Sequence, residues 1–158
     1  MTSITIPELD TPFVFREQPE AIPGDLRPLW RIGLLLLILH LSSRGGKSSF
    51  GRLHVLNWAL RSEDGQEALL GILGRKLFPG TVVVRIEPSL NRAVDFAHGE
   101  RLVERVPGDR IQLTTRGEKE AKRMLARKGL YERERHFLNT VGKKVTEILV
   151  KELFAGRV

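Results

Sequence analysis

The chain has 158 residues and a formal net charge of +7 at pH 7, with 41% apolar and 28% charged residues. These proportions exclude wholesale disorder and predict a compact soluble protein of one domain with a small appendage. The absence of cysteine excludes disulfide bonds, thiol catalysis and cysteine zinc sites, and it is consistent with a cytoplasmic protein.

The positive charge is concentrated in the last third of the chain. Residues 101–158 contain 15 Lys and Arg against 8 Asp and Glu, whereas residues 1–100 contain 11 of each sign. This asymmetry favours an acidic partner, with nucleic acid as the first candidate. A solvated basic surface without a partner explains the charge equally well.

Residues 1–25 predict an extended N-terminal arm. Four prolines and Gly24 interrupt any regular period in this segment. Apolar side chains, Phe13 and Phe15 among them, indicate that the arm lies on its own domain or on a neighbouring subunit. The first residues lack the basic and apolar regions of a secretion signal.

Residues 26–41 predict a central buried helix. Pro28 suits a first helical turn, and apolar residues occupy nearly every face of the helix. The uninterrupted apolar run is about half of the ~20 residues that a membrane span requires. We therefore expect a core helix and no membrane contact.

The next segment, GGKS at residues 45–48, has the residues that end a nucleotide-binding P-loop. A P-loop also needs a preceding strand and a glycine five positions before Gly46. Leu41 holds that position, and a predicted helix precedes it. The segment is therefore predicted to link two helices, with Ser48 or Ser49 capping the second.

Two further helices and a strand are predicted after this linker. Apolar residues at helical spacing predict helices over residues 48–60 and 64–77. Residues 81–86, with the sequence TVVVRI, predict a short strand because β-branched residues follow a Pro-Gly turn. We expect this strand to pair with the hairpin that follows.

Residues 89–117 predict a helix, a hairpin and the start of another helix. Ser89 can cap the first helix, which ends near Gly99. The hairpin has β-prone runs at residues 102–106 and 110–113, joined by a Pro-Gly-Asp turn cluster. Thr114 or Thr115 can cap the helix after it.

This order of elements resembles the winged helix-turn-helix domain of many bacterial regulators and complex subunits. The pattern that carries the resemblance is LVxxxxGxxIxLTxxGxxxAxxxL over residues 102–125. It implies a mainly α fold with a small β-hairpin, in the α+β class. The winged-helix domain would then cover residues 26–130.

Residues 131–154 predict one long amphipathic helix, within a C-terminal interaction segment of residues 131–158. Its apolar stripe is wider than a single contact needs, so we expect it to pack on its own domain and also to face a partner or a second copy of the chain. With two residues of the arm, the predicted partner-binding residues are Phe13, Phe15, Leu138, Val141, Val145, Ile148 and Leu149.

Cations of the predicted hairpin and of the helix after it suggest contact with double-stranded DNA. Several recur at three- and four-residue steps, which would let them meet one phosphate backbone together. The predicted nucleic-acid-binding residues are Arg92, Arg105, Arg110, Arg116, Lys119, Arg123 and Arg127. The presumed recognition helix carries few side chains able to contact bases, so we expect either non-specific contact through the hairpin or a purely structural role for the domain.

No catalytic site, metal site or cofactor is predicted. The four histidines, His40, His54, His98 and His136, lie singly on different predicted elements and lack the spacing that brings two ligands onto one metal ion. No nucleophile and base cluster together either. The sequence therefore favours a protein that is not an enzyme.

A wider resemblance covers residues 13–154, through the segments PFVFREQPE, RPLWRIGLLLLIL and FGRLHVLNWALRS in that order. This order is similar to the middle component of bacterial ABC three-component systems. In such systems a winged-helix protein lies between an SMC/Rad50-like ATPase and an effector subunit, as in Lamassu-type antiphage defence. The resemblance implies an adaptor subunit without catalytic residues. The alternative is a dimeric winged-helix transcription regulator that binds operator DNA.

Overall fold

The computed structural model describes residues 27–155, so the N-terminal arm with Phe13 and Phe15 lies outside the described residues. The described part contains seven α-helices and a three-stranded antiparallel sheet, which confirms the predicted α+β class. The elements are α1 (Pro28–Ser42), β1 (Lys47–Ser49), α2 (Phe50–Leu60), α3 (Glu63–Leu73), α4 (Pro88–Gly99), β2 (Val103–Val106), β3 (Arg110–Leu113), α5 (Thr115–Leu125), α6 (Glu132–Val141) and α7 (Glu147–Ala155).

Helix α1 is the centre of the core, as its sequence predicts. Pro28 occupies the first turn, where its missing N–H costs no hydrogen bond. Residues 34–39 are each at most 2% exposed, and α2, α4, α5 and α6 all contact the helix. Burying one such leucine or isoleucine side chain stabilises the fold by roughly 1.5–3 kcal/mol.

The sheet has the order β1-β3-β2, and its first strand was not predicted. Ser48 of β1 lies opposite Ile111 of β3, and Arg105 of β2 lies on the other side of the same residue. Gly45 and Gly46 have φ angles of 61° and 67°, which turn the chain so that the supposed linker pairs with β3.

The prediction of a strand over residues 81–86 is wrong. Thr81 ends a short 3₁₀ turn, and residues 82–87 form neither helix nor strand. Glu87 holds the end of this segment to the helices, because its carboxylate pairs with Arg31 at 3.4 Å and also with Arg61. Strand β1 already pairs with the edge of β3, so residues 82–87 cannot pair with the hairpin at that edge.

Hydroxyl caps define three helix starts. Ser49, Ser62 and Thr114 accept hydrogen bonds from backbone N–H groups in the first turns of α2, α3 and α5. The expected cap at Ser89 is wrong, because Glu87 occupies the N-cap position of α4 and the Ser89 hydroxyl donates to its carboxylate at 3.4 Å.

The hairpin and α5 agree closely with the sequence prediction. Gly108 and Asp109 turn the chain with φ angles of 86° and 55°. Helix α5 begins so close to β2 that a Cβ at Gly117 would lie 1.9 Å from the carbonyl oxygen of Leu102. Only glycine permits this approach.

The prediction of a single long C-terminal helix is wrong. Gly142, with φ 53° and ψ −128°, ends α6, and α7 begins at Glu147. Leu138, Val141 and Val145 are at most 1% exposed and belong to the core, so they cannot form the predicted partner face. Ile148 is 72% exposed and Leu149 is half-buried.

Tyr131 joins α6 to α1. Its hydroxyl donates to the carbonyl oxygen of Trp30 at 2.7 Å, and the two rings lie 5.4 Å apart. A Cβ at Gly33 would lie 2.3 Å from that hydroxyl, so the contact needs glycine beneath it. Burial, with a smaller contribution from the Glu134 carboxylate, raises the pKa of Tyr131 to about 12.

We expect Tyr131→Phe to cost about 1 kcal/mol of stability below pH 9, because it removes one buried hydrogen bond. The unfolded chain ionises Tyr131 near pH 10 and the folded chain near pH 12, so this residue's contribution to wild-type stability falls across that window. Phenylalanine does not ionise, so the stability of the variant should fall less steeply than that of the wild type over this pH range. Urea unfolding at several pH values measures both curves; parallel curves above pH 10 would contradict the assignment.

Candidate nucleic-acid interface

Helix α4, the presumed recognition helix, buries one face and exposes the other. Its buried residues are Leu90, Ala93, Val94 and Ala97. The opposite face exposes Arg92, Asp95 and Phe96. This face therefore carries one cation, one anion and one aromatic ring at its centre, which is a poor set for reading base edges.

Arg105 of β2 is held against neighbouring elements. Its guanidinium pairs with the Asp95 carboxylate of α4 at 2.5 Å and lies 5.5 Å from the centre of the Phe50 ring. Both members of the ion pair are exposed, so the pair contributes about 0–1 kcal/mol. Asp95 nevertheless neutralises much of the charge that Arg105 could offer to a phosphate.

The predicted row of cations on the helix after the hairpin is present in part. Arg116, Lys119 and Arg123 are exposed along α5 at the expected spacing. Arg123 pairs with Glu120 at 2.9 Å, whereas Arg116 and Lys119 make no ion pair within residues 27–155. Arg127 lies beyond the last residue of α5, so the prediction that it continues this helical row is wrong.

Arg135 was not singled out from the sequence, although it closes the end of α5. Its guanidinium donates to the carbonyl oxygens of Leu125, Arg127 and Leu130 at 3.1, 3.2 and 3.4 Å. These bonds satisfy acceptors that the helix leaves open at its C-terminal end. An arginine among alternating charges gives no sequence signal for such a role.

Arg110 lies apart from the other predicted DNA contacts. Successive strand residues point to opposite faces of a sheet, and Arg105 pairs across from Ile111 rather than Arg110. Arg105 and Arg110 therefore lie on opposite faces. Arg110 lines a cavity with Lys47 of β1 and Lys143 of the α6–α7 connection.

We call three exposed cations of α5, Arg116, Lys119 and Arg123, the α5 surface. Arg116 also lines a groove with Phe96 and Glu100, which places the start of this surface beside α4. The predicted site thus separates into the α5 surface near α4 and a second basic cluster around Arg110.

Arg52, another residue that was not predicted, forms the wall of the cavity beside Arg110. Its Nε donates to the carbonyl oxygen of Val145 at 2.7 Å and its Nη1 to Ser43 Oγ at 3.0 Å, while Nη2 donates to the carbonyl oxygen of Ser42. Burial lowers the pKa of Arg52, and the Glu147 carboxylate opposes that effect. One guanidinium thus connects α2, the end of α1 and the chain before α7.

Comparison of the chain with known protein families, with curated proteins and with solved structures finds no match in any of the three. Across residues 27–155, no helix has the length and apolar character needed to cross a membrane. The same residues contain no group of three or more His, Asp or Glu side chains that could hold a metal ion.

We expect Arg52→Lys to lower the free energy of unfolding by about 2–3 kcal/mol, because an ammonium group cannot reach all three acceptors of the planar guanidinium. Arg92→Lys, an exposed substitution of the same type on α4, should change stability by at most about 0.5 kcal/mol. Chemical denaturation measures both. Equal stability of the two variants would show that the Arg52 network contributes little.

Proposed function

We propose that this chain is a non-enzymatic winged-helix adaptor subunit. It connects an SMC/Rad50-like ABC ATPase with an effector in a DNA-sensing antiphage defence complex. The sequence of α4, the β2–β3 hairpin and α5 supports the winged-helix part of the proposal. The adaptor role rests on an exposed apolar surface formed by residues outside α5.

The exposed apolar surface consists of Phe78, Val83 and Ile148, which are 80%, 71% and 72% exposed. Phe78 immediately precedes the 3₁₀ turn Pro79–Thr81, and α7, which carries Ile148, packs against this turn. Large apolar side chains exposed on elements that pack together mark surfaces that proteins use for association. The exposure of Phe78 and Ile148, beside and on two such elements, is the observation that carries the adaptor proposal.

Non-specific contact with DNA is supported by the α5 surface. Arg116 and Lys119 make no ion pair within the described residues, and the Glu120 partner of Arg123 is its own helix neighbour. Exchanging such an exposed pair for a phosphate contact costs little. Cations on one helix face bind the backbone without reading sequence.

The alternative function is a dimeric transcription regulator, in which Ile148 and Leu149 form a dimer contact and α4 reads operator DNA. The exposure of Ile148 favours this alternative as much as the adaptor. The exposed face of α4 argues against it, because the Asp95 carboxylate lies in the middle of the helix where a base-reading side chain is needed. We therefore place the adaptor first.

Replacing Arg116, Lys119 and Arg123 together by glutamine should weaken the binding of the full chain to a labelled duplex. If each cation contacts one phosphate, the negative slope of log K against log salt concentration should become shallower by about 2.7. The control replaces the exposed cations Arg75, Lys76 and Arg85 by glutamine and has the same net charge. The DNA part of the proposal fails if both triple variants give the same slope.

Replacing Phe78 and Ile148 by serine should reduce co-purification of the ATPase at least about tenfold, because truncating a hot-spot side chain of an interface costs about 2 kcal/mol or more. Both side chains are exposed, so circular dichroism should report an intact fold. Lys151→Ser, on the same helix as Ile148, is the control and should retain the ATPase. Undiminished recovery with the Phe78 and Ile148 variant would refute this surface as the ATPase contact.

A further inference from the structure

A cavity of about 360 Å³ lies where the end of α1, the outer face of the sheet and the α6–α7 connection meet. Four exposed cations line it: Arg44, Lys47, Arg110 and Lys143. Within residues 27–155 none of the four makes an ion pair, so no described carboxylate neutralises them directly. We call this set the basic cavity.

The cations of the basic cavity come from three separate segments of the chain. Arg44 and Lys47 flank the glycine turn that leads into β1, Arg110 begins β3, and Lys143 follows α6. Arg110 lies opposite Ser49, which is two residues after Lys47 on β1. Residues two apart on a strand share a face, so Lys47 and Arg110 lie on the same face of the sheet. Bringing like charges together costs free energy unless an anion binds among them.

Two helices begin at the wall of this cavity, and their first turns add positive potential. Ser49 caps α2, and Thr146 accepts a hydrogen bond from the N–H of Leu149 at 3.2 Å in the first turn of α7. The N-terminal end of a helix favours anions. Buried Arg52 contributes a further cation to the same wall.

One carboxylate opposes anion binding in the cavity. Glu147 accepts a hydrogen bond from the Ser49 hydroxyl at 3.0 Å. The five cations that line the cavity outnumber this single acid, and the balance strongly favours an anion with more than one negative charge. Thr146 also presents a hydroxyl group at the cavity wall, and a hydroxyl can donate a hydrogen bond to a phosphate oxygen.

We propose that the basic cavity binds a terminal phosphate group, either at the end of a nucleic acid strand or on a free nucleotide. The cavity is recessed, so a chain end or a small molecule enters it more readily than the continuous backbone of a duplex. Its volume lies in the range of roughly 300–1,000 Å³ that small-molecule sites occupy. This inference does not rest on the proposed function, since no residue of α5 lines the cavity.

Titration of the full chain with inorganic pyrophosphate, followed by calorimetry, tests the site. We expect saturable binding at one site per chain, weakened about tenfold or more when Lys47 and Arg110 are both replaced by glutamine. Arg75→Gln with Lys76→Gln removes the same charge from exposed positions outside the cavity and the α5 surface, and it should leave the affinity unchanged. Glu147→Gln should tighten binding, because it removes the only acid among the described residues that line the cavity.

Failure of the wild-type chain to bind pyrophosphate would overturn the inference, as would equal weakening in the two double variants. Circular dichroism checks folding of the Lys47 and Arg110 variant. If it does not fold, Lys143→Gln serves in its place and should weaken binding by several-fold, whereas unchanged affinity in that variant would refute the site.

Two further ligands distinguish the sources of the phosphate. Tighter binding of an oligonucleotide that carries a 5′-phosphate than of the same oligonucleotide with a 5′-hydroxyl would assign the cavity to a strand end. Binding of ADP that competes with pyrophosphate would assign it to a nucleotide. If neither ligand requires Lys47 and Arg110, the proposal is wrong.

Discussion

The need to cover α1 on every side constrains the rest of this fold. Residues 34–39 are buried around the whole helix circumference, and an apolar helix without a polar face is stable in water only when other elements enclose it. Helices α2, α4, α5 and α6 enclose it together, which fixes the hairpin beside α4 and leaves the α5 cations on the outside. The position of the α5 surface therefore follows from the burial of one helix.

Features that depend on neighbouring residues could be predicted from the sequence. The hairpin turn at residues 107–109 and the Thr114 cap result from local backbone geometry and hydrogen bonds, which their residue types specify directly. Features that depend on distant residues were not predicted. Strand β1 needs the edge of β3, and the break at Gly142 lets Val145 reach the core and accept a hydrogen bond from Arg52.

The candidate sites likewise divide into features that depend on neighbouring residues and features that depend on distant ones. Helical periodicity was enough to place Arg116, Lys119 and Arg123 on one face of α5. It was not enough for the apolar stripe of the last segment, because periodicity cannot tell a core face from a partner face, and Leu138 and Val141 lie in the core. The basic cavity joins Lys47, Arg110 and Lys143, whose proximity only the chain topology determines.

We propose that the chain acts as a subunit that joins larger proteins. Affinity purification of the tagged full chain from its native host, with nuclease added to remove bridging DNA, is the first test of this role. We expect stoichiometric recovery of an SMC/Rad50-like ATPase together with a second, effector subunit. Recovery of the chain alone, as a dimer that binds one particular promoter fragment, would contradict it and support the regulator.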